Sequence, residues 1–345
     1  MGDIFLSNLP VIEASGSHYE LGFKVGRSAQ ALMARSVATY RQALPADGWN
    51  GPWVLSDGYL EAAREAFPHF VEELQGMADG SGIAFADLFF LNALEEALDR
   101  KGPLACSAIA LASAGEVWLG HNEDWYAGDC NTVIAIHAKP KGKPAFLSVT
   151  AAPFLAAVGI NEAGLAQGVN SVSSIDCRIG VPRMFAARAV LESASIADAL
   201  TLAAPANRAG GYNHLLAHAN GEIGCFETSA REQHYMPAEE ITFHKNHYVS
   251  PQILKLEQGA GEHSRARYLR LEQLRGNLIT KPDHFKALSE ALSDHENRPL
   301  SICRHAEDQK DNDATIFSVI FNVKLFKIWV AVGNPCDNMF REVKI

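Results

Sequence analysis

Apolar residues recur at helical spacing through the first third of the chain and in short strand-like runs through the rest. Helical patterns cover residues 57–79 and 84–98, and β-rich runs separated by glycine and asparagine turns begin just before Cys106. Neither part alone contains a complete set of packed layers. We therefore predict a single domain over residues 1–345, of the α+β class.

The first helix has a clear start signal. Ser17 is followed three residues later by Glu20, which is the sequence pattern of a capping box, so a helix should begin after Ser17. Gly22 and Gly26 stand four residues apart and share one face of that helix. A helix face without side chains predicts that a neighbouring segment approaches closely there.

The remaining runs predict further elements. A helix should begin at Pro182 and continue through residues 196–202, and another should begin at Ser264. Strands are predicted at residues 132–137, 145–150, 156–160, 165–171, 212–217, 223–228, 233–236, 315–321 and 325–332.

Cys106 opens the first of two apolar runs joined by a glycine turn at residues 113–116. Two β-rich runs with a tight turn between them predict a hairpin. The second strand continues into Asn122 and Asp124. The hairpin should therefore return Asp124 to the neighbourhood of Cys106.

A thiol beside a carboxylate suggests nucleophilic catalysis. A nucleophile of this kind needs a base, and one solution uses the α-amine of an N-terminal residue, whose reference pKa is about 7.7–8.0. This solution requires a cut between Ala105 and Cys106 and a carboxylate, such as Asp124, that orients the amine. Spacing alone leaves an alternative open, because cysteine is also a common small core residue.

The residues of this hairpin resemble those of a known family. Cys106-Ser107 followed by His121-Asn122-Glu123-Asp124-Trp125 resembles the β-chain start of N-terminal-nucleophile cysteine hydrolases, and most closely the acyl-coenzyme A:6-aminopenicillanate acyltransferase (C45 peptidase) family. The resemblance implies a four-layer α-β-β-α sandwich. It also implies self-cleavage into an α chain of residues 1–105 and a β chain of residues 106–345. The implied reaction is hydrolysis or transfer of an amide or thioester acyl group through an acyl-enzyme on Cys106.

Other stretches extend the resemblance over most of the chain. A Gly-Ile-Asn-Glu-Ala-Gly-Leu run and an Asn-His-Tyr run resemble the family segments that supply oxyanion donors, which assigns that role to Asn170 and Asn246. A serine-arginine pattern implies that Arg265 or Arg267 faces the site. Ala105 stands where the acyltransferase has glycine, but a residue this small still permits cleavage. The full set implied to line the site is His121, Asn122, Glu227, His247 and Arg265.

Composition narrows the class of partner. The formal net charge is −10 and no basic block occurs, which argues against nucleic-acid binding. No apolar run approaches the roughly 20 residues of a membrane helix, and the N-terminus lacks the features of a secretory signal. The six cysteines lie far apart without a CxxC pair, so we expect reduced thiols in a cytoplasmic protein.

Neither a cofactor nor a metal is expected. His244, His247 and His263 do not match a zinc-binding spacing, and the resembled family uses no metal. Cys303 and Cys336 are interpreted as structural. The expected partners are a small acyl-amide or acyl-thioester and the protein's own α and β chains. Two further partners stay open as alternatives. One is acyl-coenzyme A as the acyl donor, and the other is a second copy of the chain in a homo-oligomer.

Two other classes of function stay open as well. One is a catalytically silent binding protein that keeps the fold, with Cys106 blocked in an uncut chain. The other is a redox or metal protein that uses the scattered cysteines and histidines.

Overall fold

The computed structural model describes residues 9–43, 58–97, 105–259, 261–308 and 312–344. The predicted ends of two helical patterns, at residues 57 and 98, lie outside these ranges. The helices are α1 His18–Ser28, α2 Gln30–Ala43, α3 Tyr59–Ala66, α4 Pro68–Ser81, α5 Phe85–Asn92, α6 Leu94–Ala97, α7 Arg183–Val190, α8 Ile196–Ala203, α9 Glu262–Thr280 and α10 His284–Leu292. Among the described residues, no helix combines the length and the apolar character needed to cross a membrane.

The strands form two sheets. They are β1 Val11–Gly16, β2 Ala105–Ser113, β3 Glu116–Tyr126, β4 Val133–Pro140, β5 Phe146–Ala151, β6 Gly159–Asn161, β7 Leu165–Ser171, β8 Tyr212–His218, β9 Ile223–Thr228, β10 Gln233–Ala238, β11 Ile241–His244, β12 Asp313–Asn322, β13 Lys327–Val332 and β14 Arg341–Glu342. One sheet has eight strands in the order β1-β4-β5-β6-β7-β8-β9-β10, and the other has six in the order β11-β2-β3-β12-β13-β14. Among the pairings between these described strands, only β1–β4 is parallel.

The two sheets face each other, and helices cover both outer faces. Helices α9 and α10 pack on the six-stranded sheet through an apolar cluster that includes Leu271, Leu288 and Ile320. Helices α7 and α8 pack on the other sheet through a second cluster, and α1 covers the part of that sheet near β1, with α4 packed against α1. This arrangement confirms the predicted α-β-β-α sandwich.

Strand β2 shows why its sequence lacks polar alternation. Ala108 and Ala110 belong to the core between the sheets, whereas Ile109 and Leu111 belong to the cluster beneath α9 and α10. Both faces of the strand are therefore buried, and both need apolar residues. The small side chains point toward the other sheet and leave room for close packing.

The predicted helix start and the predicted close approach are both present at α1. The hydroxyl of Ser17 accepts a hydrogen bond from the Glu20 amide, and the Glu20 carboxylate accepts one from the Ser17 amide at 2.7 Å. Helix α1 crosses α4 at Gly22 and Gly26. A Cβ added to Gly26 would lie 2.3 Å from the carbonyl oxygen of Met77.

Some predicted boundaries are wrong for local reasons. The helix predicted over 57–79 is interrupted at Phe67, because Pro68 begins a new helix and cannot donate a backbone hydrogen bond. The helix predicted to continue from 182 to 202 is two helices, since the Ser195 side chain caps a fresh start at Ile196. The sequence pattern does not predict β11, β14 or α10.

We expect Gly26→Ala to destabilise the protein by about 1–3 kcal/mol, because the added methyl group meets backbone of α4 that cannot move freely. Gly276→Ala is the matched control. It lies at an exposed position of α9 with open space around it, and should be neutral or more stable by up to about 1 kcal/mol. Urea unfolding of the two variants checks this, and a Gly26→Ala protein as stable as the parent would contradict the packing described.

Candidate active site

A two-residue turn fixes what lies opposite Cys106. Ala114 and Gly115, between β2 and β3, have φ angles of 51° and 80°, the left-handed pair typical of a tight hairpin turn. The resulting register pairs Cys106 with Glu123 and Ala105 with Asp124. Because successive side chains of a strand point to opposite faces, Glu123 shares the face of Cys106 and Asp124 occupies the other face.

The Cys106 thiol lies between the sheets and is 3% exposed. It donates a hydrogen bond to Glu123 Oε1 at 3.2 Å, while Glu123 Oε2 lies 3.0 Å from His121 Nε2. Burial and the adjacent Glu123 carboxylate raise the pKa of the thiol well above its ordinary value. The thiol is therefore protonated near neutral pH, and a neighbouring acceptor would have to take its proton before it could react as a thiolate.

Asp124 lies in a buried cluster on the opposite face of β3. Its Oδ1 accepts a hydrogen bond from Thr315 Oγ1 at 2.6 Å, and its Oδ2 lies 3.5 Å from an Arg267 guanidinium nitrogen. Burial raises the pKa of Asp124, and the guanidinium groups of Arg304 and Arg267 oppose that rise. Asp124 therefore lies next to cationic side chains that are close to the main chain of Cys106.

Asn246 contacts the backbone nitrogen of Cys106. Its Oδ1 accepts hydrogen bonds from that nitrogen at 3.0 Å and from Arg267 at 2.9 Å, and its Nδ2 donates to the Ser171 carbonyl at 3.0 Å. The same arginine donates to the Cys106 carbonyl at 3.2 Å. Asn246 and Arg267 therefore hold the atom that would become an α-amine if the chain were cut before Cys106.

Asn170 lies in the same inter-sheet region. It shares its strand face with Gly168, where an added Cβ would lie 3.1 Å from the His121 ring and 3.3 Å from Ala108. Asn170 Oδ1 accepts a hydrogen bond from Asn213 at 3.0 Å. The buried Nδ2 of Asn170 has no hydrogen-bond partner in the part of the chain that the structure describes, so it is a donor available between the sheets.

Two of the residues predicted to line the site lie elsewhere. The Asn122 amide donates to the Leu292 carbonyl at 2.9 Å, on the face of β3 that packs against α10. Arg265 is about half exposed and pairs with Glu257. The arginine that reaches the site is Arg267, because residues two apart on a helix point in different directions and α9 buries only the second of the pair.

Glu227 and His247 support the segment that carries Asn246 and do not touch Cys106 in any described contact. Glu227 accepts backbone hydrogen bonds from Val249 at 2.6 Å and Ser250 at 3.1 Å. His247 Nδ1 lies 2.7 Å from the Ser264 hydroxyl, which also accepts from the Asn246 amide at 2.9 Å. Their role is to hold this segment in place.

The sequence did not identify Glu123 or Lys245 as site residues. The turn at residues 113–116 already contained the signal for Glu123, because a two-residue turn fixes the partner of every residue in the hairpin. Lys245 offered no such signal. Its ammonium group is fully buried near Arg267 and Asp124, and burial and Arg267 lower its pKa well below the usual value.

A mostly apolar pocket borders Cys106. Its acidic end is Glu95, which accepts hydrogen bonds from the Tyr212 hydroxyl at 2.6 Å and the Ser171 hydroxyl at 2.5 Å and lies 3.3 Å from Arg183. The apolar walls include Val149, Leu155, Val158, Met184 and Phe317. The pocket places apolar side chains next to the thiol, and the carboxylates of Glu95 and Glu123 are also part of its lining.

Cys106, His121 and Glu123 each offer one potential metal-ligating atom within 4.8 Å of the others. The same three groups also form the hydrogen-bond chain from thiol to imidazole described above. His244, His247 and His263 do not form such a group in the described residues. His244 pairs instead with Glu227 at 2.7 Å.

Comparison with known proteins gives three kinds of match. A family model described as acyl-coenzyme A:6-aminopenicillanic acid acyl-transferase matches residues 111–337, which include Asp124, Asn170 and Asn246 and begin just after Cys106. The chain is 30% identical over 217 residues to β-alanyl-dopamine/carcinine hydrolase of Drosophila melanogaster, a match that spans 55% of this chain and 56% of that protein. It is 25% identical over 348 residues to acyl-coenzyme A:6-aminopenicillanic-acid-acyltransferase 40 kDa form of Emericella nidulans, covering 94% of this chain and 92% of that protein.

Solved structures also match. A mutant of conjugated bile acid hydrolase from Clostridium perfringens superposes with a TM-score of 0.46 at 14% identity, covering 70% of this chain and 97% of that one. Penicillin V acylase from Agrobacterium tumefaciens gives a TM-score of 0.43 at 13% identity, covering 66% of this chain and 82% of that one.

Replacing Glu123 with glutamine should make Cys106 more acidic. The carboxylate raises the thiol pKa both by its charge and by accepting the thiol hydrogen bond, so Glu123→Gln should move the pH midpoint of iodoacetamide labelling at Cys106 to lower pH. Peptide mapping at a series of pH values measures this. Glu116→Gln, at an exposed position of the same strand, is the control and should leave the midpoint in place. Parent and variant chains are compared while both are still joined across Ala105 and Cys106, and an unmoved or raised midpoint in Glu123→Gln would then contradict the assignment.

Proposed function

The chain belongs to the acyl-coenzyme A:6-aminopenicillanic acid acyl-transferase family, and from that premise we propose that it is a self-processing cysteine enzyme that hydrolyses or transfers the acyl group of an amide. The observation that carries the proposal is the pair of contacts on Cys106. Its thiol faces an acceptor, Glu123, and its backbone nitrogen faces Asn246. A residue used only for packing needs neither contact.

Processing would proceed as an acyl shift followed by hydrolysis. The Cys106 thiol transfers its proton to Glu123 and attacks the carbonyl carbon of Ala105. The carbon–nitrogen bond breaks, the Cys106 nitrogen takes up the proton, and a thioester joins Ala105 to Cys106. Water then hydrolyses the thioester, which leaves a carboxylate on Ala105 and a free thiol and α-amine on Cys106.

Catalysis would use the new α-amine as the base. The amine takes the thiol proton, the thiolate attacks the substrate carbonyl, and the leaving amine departs with that proton. Water or an acceptor amine then releases the acyl group from Cys106. Asn246 Oδ1 would accept a hydrogen bond from the α-amine, and Asp124 would act through Arg267, which holds both Asn246 and the Cys106 carbonyl.

Two asparagines are proposed as oxyanion donors. Asn170 Nδ2 is buried without a hydrogen-bond partner in the described part of the chain, and Asn246 Nδ2 could exchange the Ser171 carbonyl for the oxyanion. Neutral amide donors held in a dry site stabilise the charge that develops in the transition state.

The substrate is proposed to be an acyl-amide that carries both an apolar group and a free, positively charged amino group. Apolar walls beside Cys106 favour the apolar group, and the Glu123 carboxylate beside the thiol favours the cation. The name of the Drosophila relative, β-alanyl-dopamine/carcinine hydrolase, supports this class. The name of the Emericella relative keeps acyl-coenzyme A open as a donor.

Turnover combined with trapping of the acyl-enzyme tests the proposal. A β-alanyl amide of an arylethylamine, a neutral acyl-amide, and acyl-coenzyme A with an acceptor amine form the panel. We expect the first to be cleaved fastest, with an acyl adduct that maps to Cys106. Asn246→Ala should lower kcat by roughly 10²–10³-fold, because it removes one donor to the oxyanion.

Two variants serve as controls. Asn207→Ala changes an exposed asparagine and should keep the parent rate, whereas Cys106→Ala should have no activity. A Cys106→Ala protein that retains turnover would disprove the role of the thiol. A folded parent protein that binds panel members without converting any of them would favour the silent binding protein instead.

A further inference from the structure

Three separate segments bring four potential zinc ligands together far along the chain from Cys106. His295 follows α10, Cys303 and His305 lie on the segment that leads to β12, and Cys336 lies in the turn after β13. One ligand atom from each lies within 4.8 Å of all the others. Cys303 is fully buried, and Cys336 is exposed, so the cluster has an entry path from solvent.

The distances within the cluster fit a tetrahedral ion. Zinc–sulfur bonds of about 2.3 Å and zinc–nitrogen bonds of about 2.0–2.1 Å imply edges of about 3.8 Å between sulfurs, 3.5 Å between sulfur and nitrogen and 3.3 Å between nitrogens. The two sulfurs lie 3.6 Å apart. His305 Nε2 lies 3.8 Å from Cys303 Sγ and 3.4 Å from Cys336 Sγ. His295 Nε2 lies 2.8 Å from His305 Nε2 and would move away by about half an ångström.

Neighbouring groups orient the ligands as in known zinc sites. The Asn334 amide lies 3.4 Å from Cys303 Sγ as a donor, which favours a thiolate. His305 Nδ1 faces the Glu307 carboxylate at 3.5 Å, leaving Nε2 for the cluster. The sulfur–sulfur distance of 3.6 Å is well beyond the roughly 2.05 Å of a disulfide.

We propose that His295, Cys303, His305 and Cys336 form a structural zinc site. Two thiolates and two imidazoles complete a tetrahedral shell and leave no position for a substrate, which distinguishes a structural site from a catalytic one. The proposal is independent of the proposed function.

The zinc site would stabilise the candidate active site through the segment that contacts Asp124. Arg304 lies between two of the ligands in sequence, and its backbone amide donates to Thr315 Oγ1 at 3.0 Å. That hydroxyl donates in turn to Asp124. A fixed zinc cluster would therefore hold the segment that supports the buried carboxylate.

Metal titration of the purified protein tests the proposal. Stripped protein is titrated with zinc against a chromophoric chelator, and with cobalt while the visible and near-ultraviolet spectra are recorded. We expect one zinc per chain and the intense bands of a tetrahedral cobalt–thiolate site. Cys336→Ser, at an exposed position, should weaken zinc binding by more than the roughly 10–100-fold typical of losing a group that only orients a ligand, and it should reduce the thiolate band.

The controls separate this site from the other thiols. Cys177→Ser changes an exposed cysteine outside the cluster, and Cys106→Ala removes the thiol near His121 and Glu123; both should keep one zinc and the cobalt bands. His295→Ala provides a second test that leaves both thiols in place. Absence of stoichiometric zinc in the parent protein would overturn the proposal, as would binding unchanged by Cys336→Ser and His295→Ala, or a Cys303–Cys336 disulfide that persists with zinc present.

Discussion

The register of the hairpin formed by β2 and β3 controls the surroundings of Cys106. With Ala114 and Gly115 as the two turn residues, Cys106 faces Glu123, and Asp124 is on the far side of the sheet. A slip of one residue would exchange these faces and place Asp124 against the thiol. Two buried faces resist such a slip, because the large residues of β2 pack beneath the outer helices and the small ones pack between the sheets.

The positions of the buried charged side chains next to the main chain of Cys106 depend on that same register. Asp124 and Arg267 are both fully buried, and a buried carboxylate beside a buried guanidinium is stable only with close partners. Thr315 and Arg267 supply those partners from β12 and α9. The site is therefore assembled only when the helical layer packs on the six-stranded sheet, so the integrity of the fold and the geometry around Cys106 are coupled.

Local signals predicted much of the fold, whereas the site needed tertiary information. The capping box at Ser17 and the glycines of α1 act over a few residues, and the structure contains both features. The choice between Arg265 and Arg267 depends on which face of α9 meets the sheet, which the sequence pattern did not determine. Asn122 was predicted to line the site one position away from Glu123, although the hairpin turn would have fixed the correct face. The four side chains of the proposed zinc site come from segments that meet only in the folded chain, so their spacing matches no sequence motif.

Intact mass and N-terminal sequence of the purified, denatured protein test the central claim most directly. We predict a fragment whose N-terminus is Cys106-Ser107-Ala108 and a second fragment that ends at Ala105, with Cys106→Ala remaining uncut. A parent protein that turns over amides while every chain is still joined across Ala105 and Cys106 would contradict self-processing as the source of the base, because no α-amine would then exist.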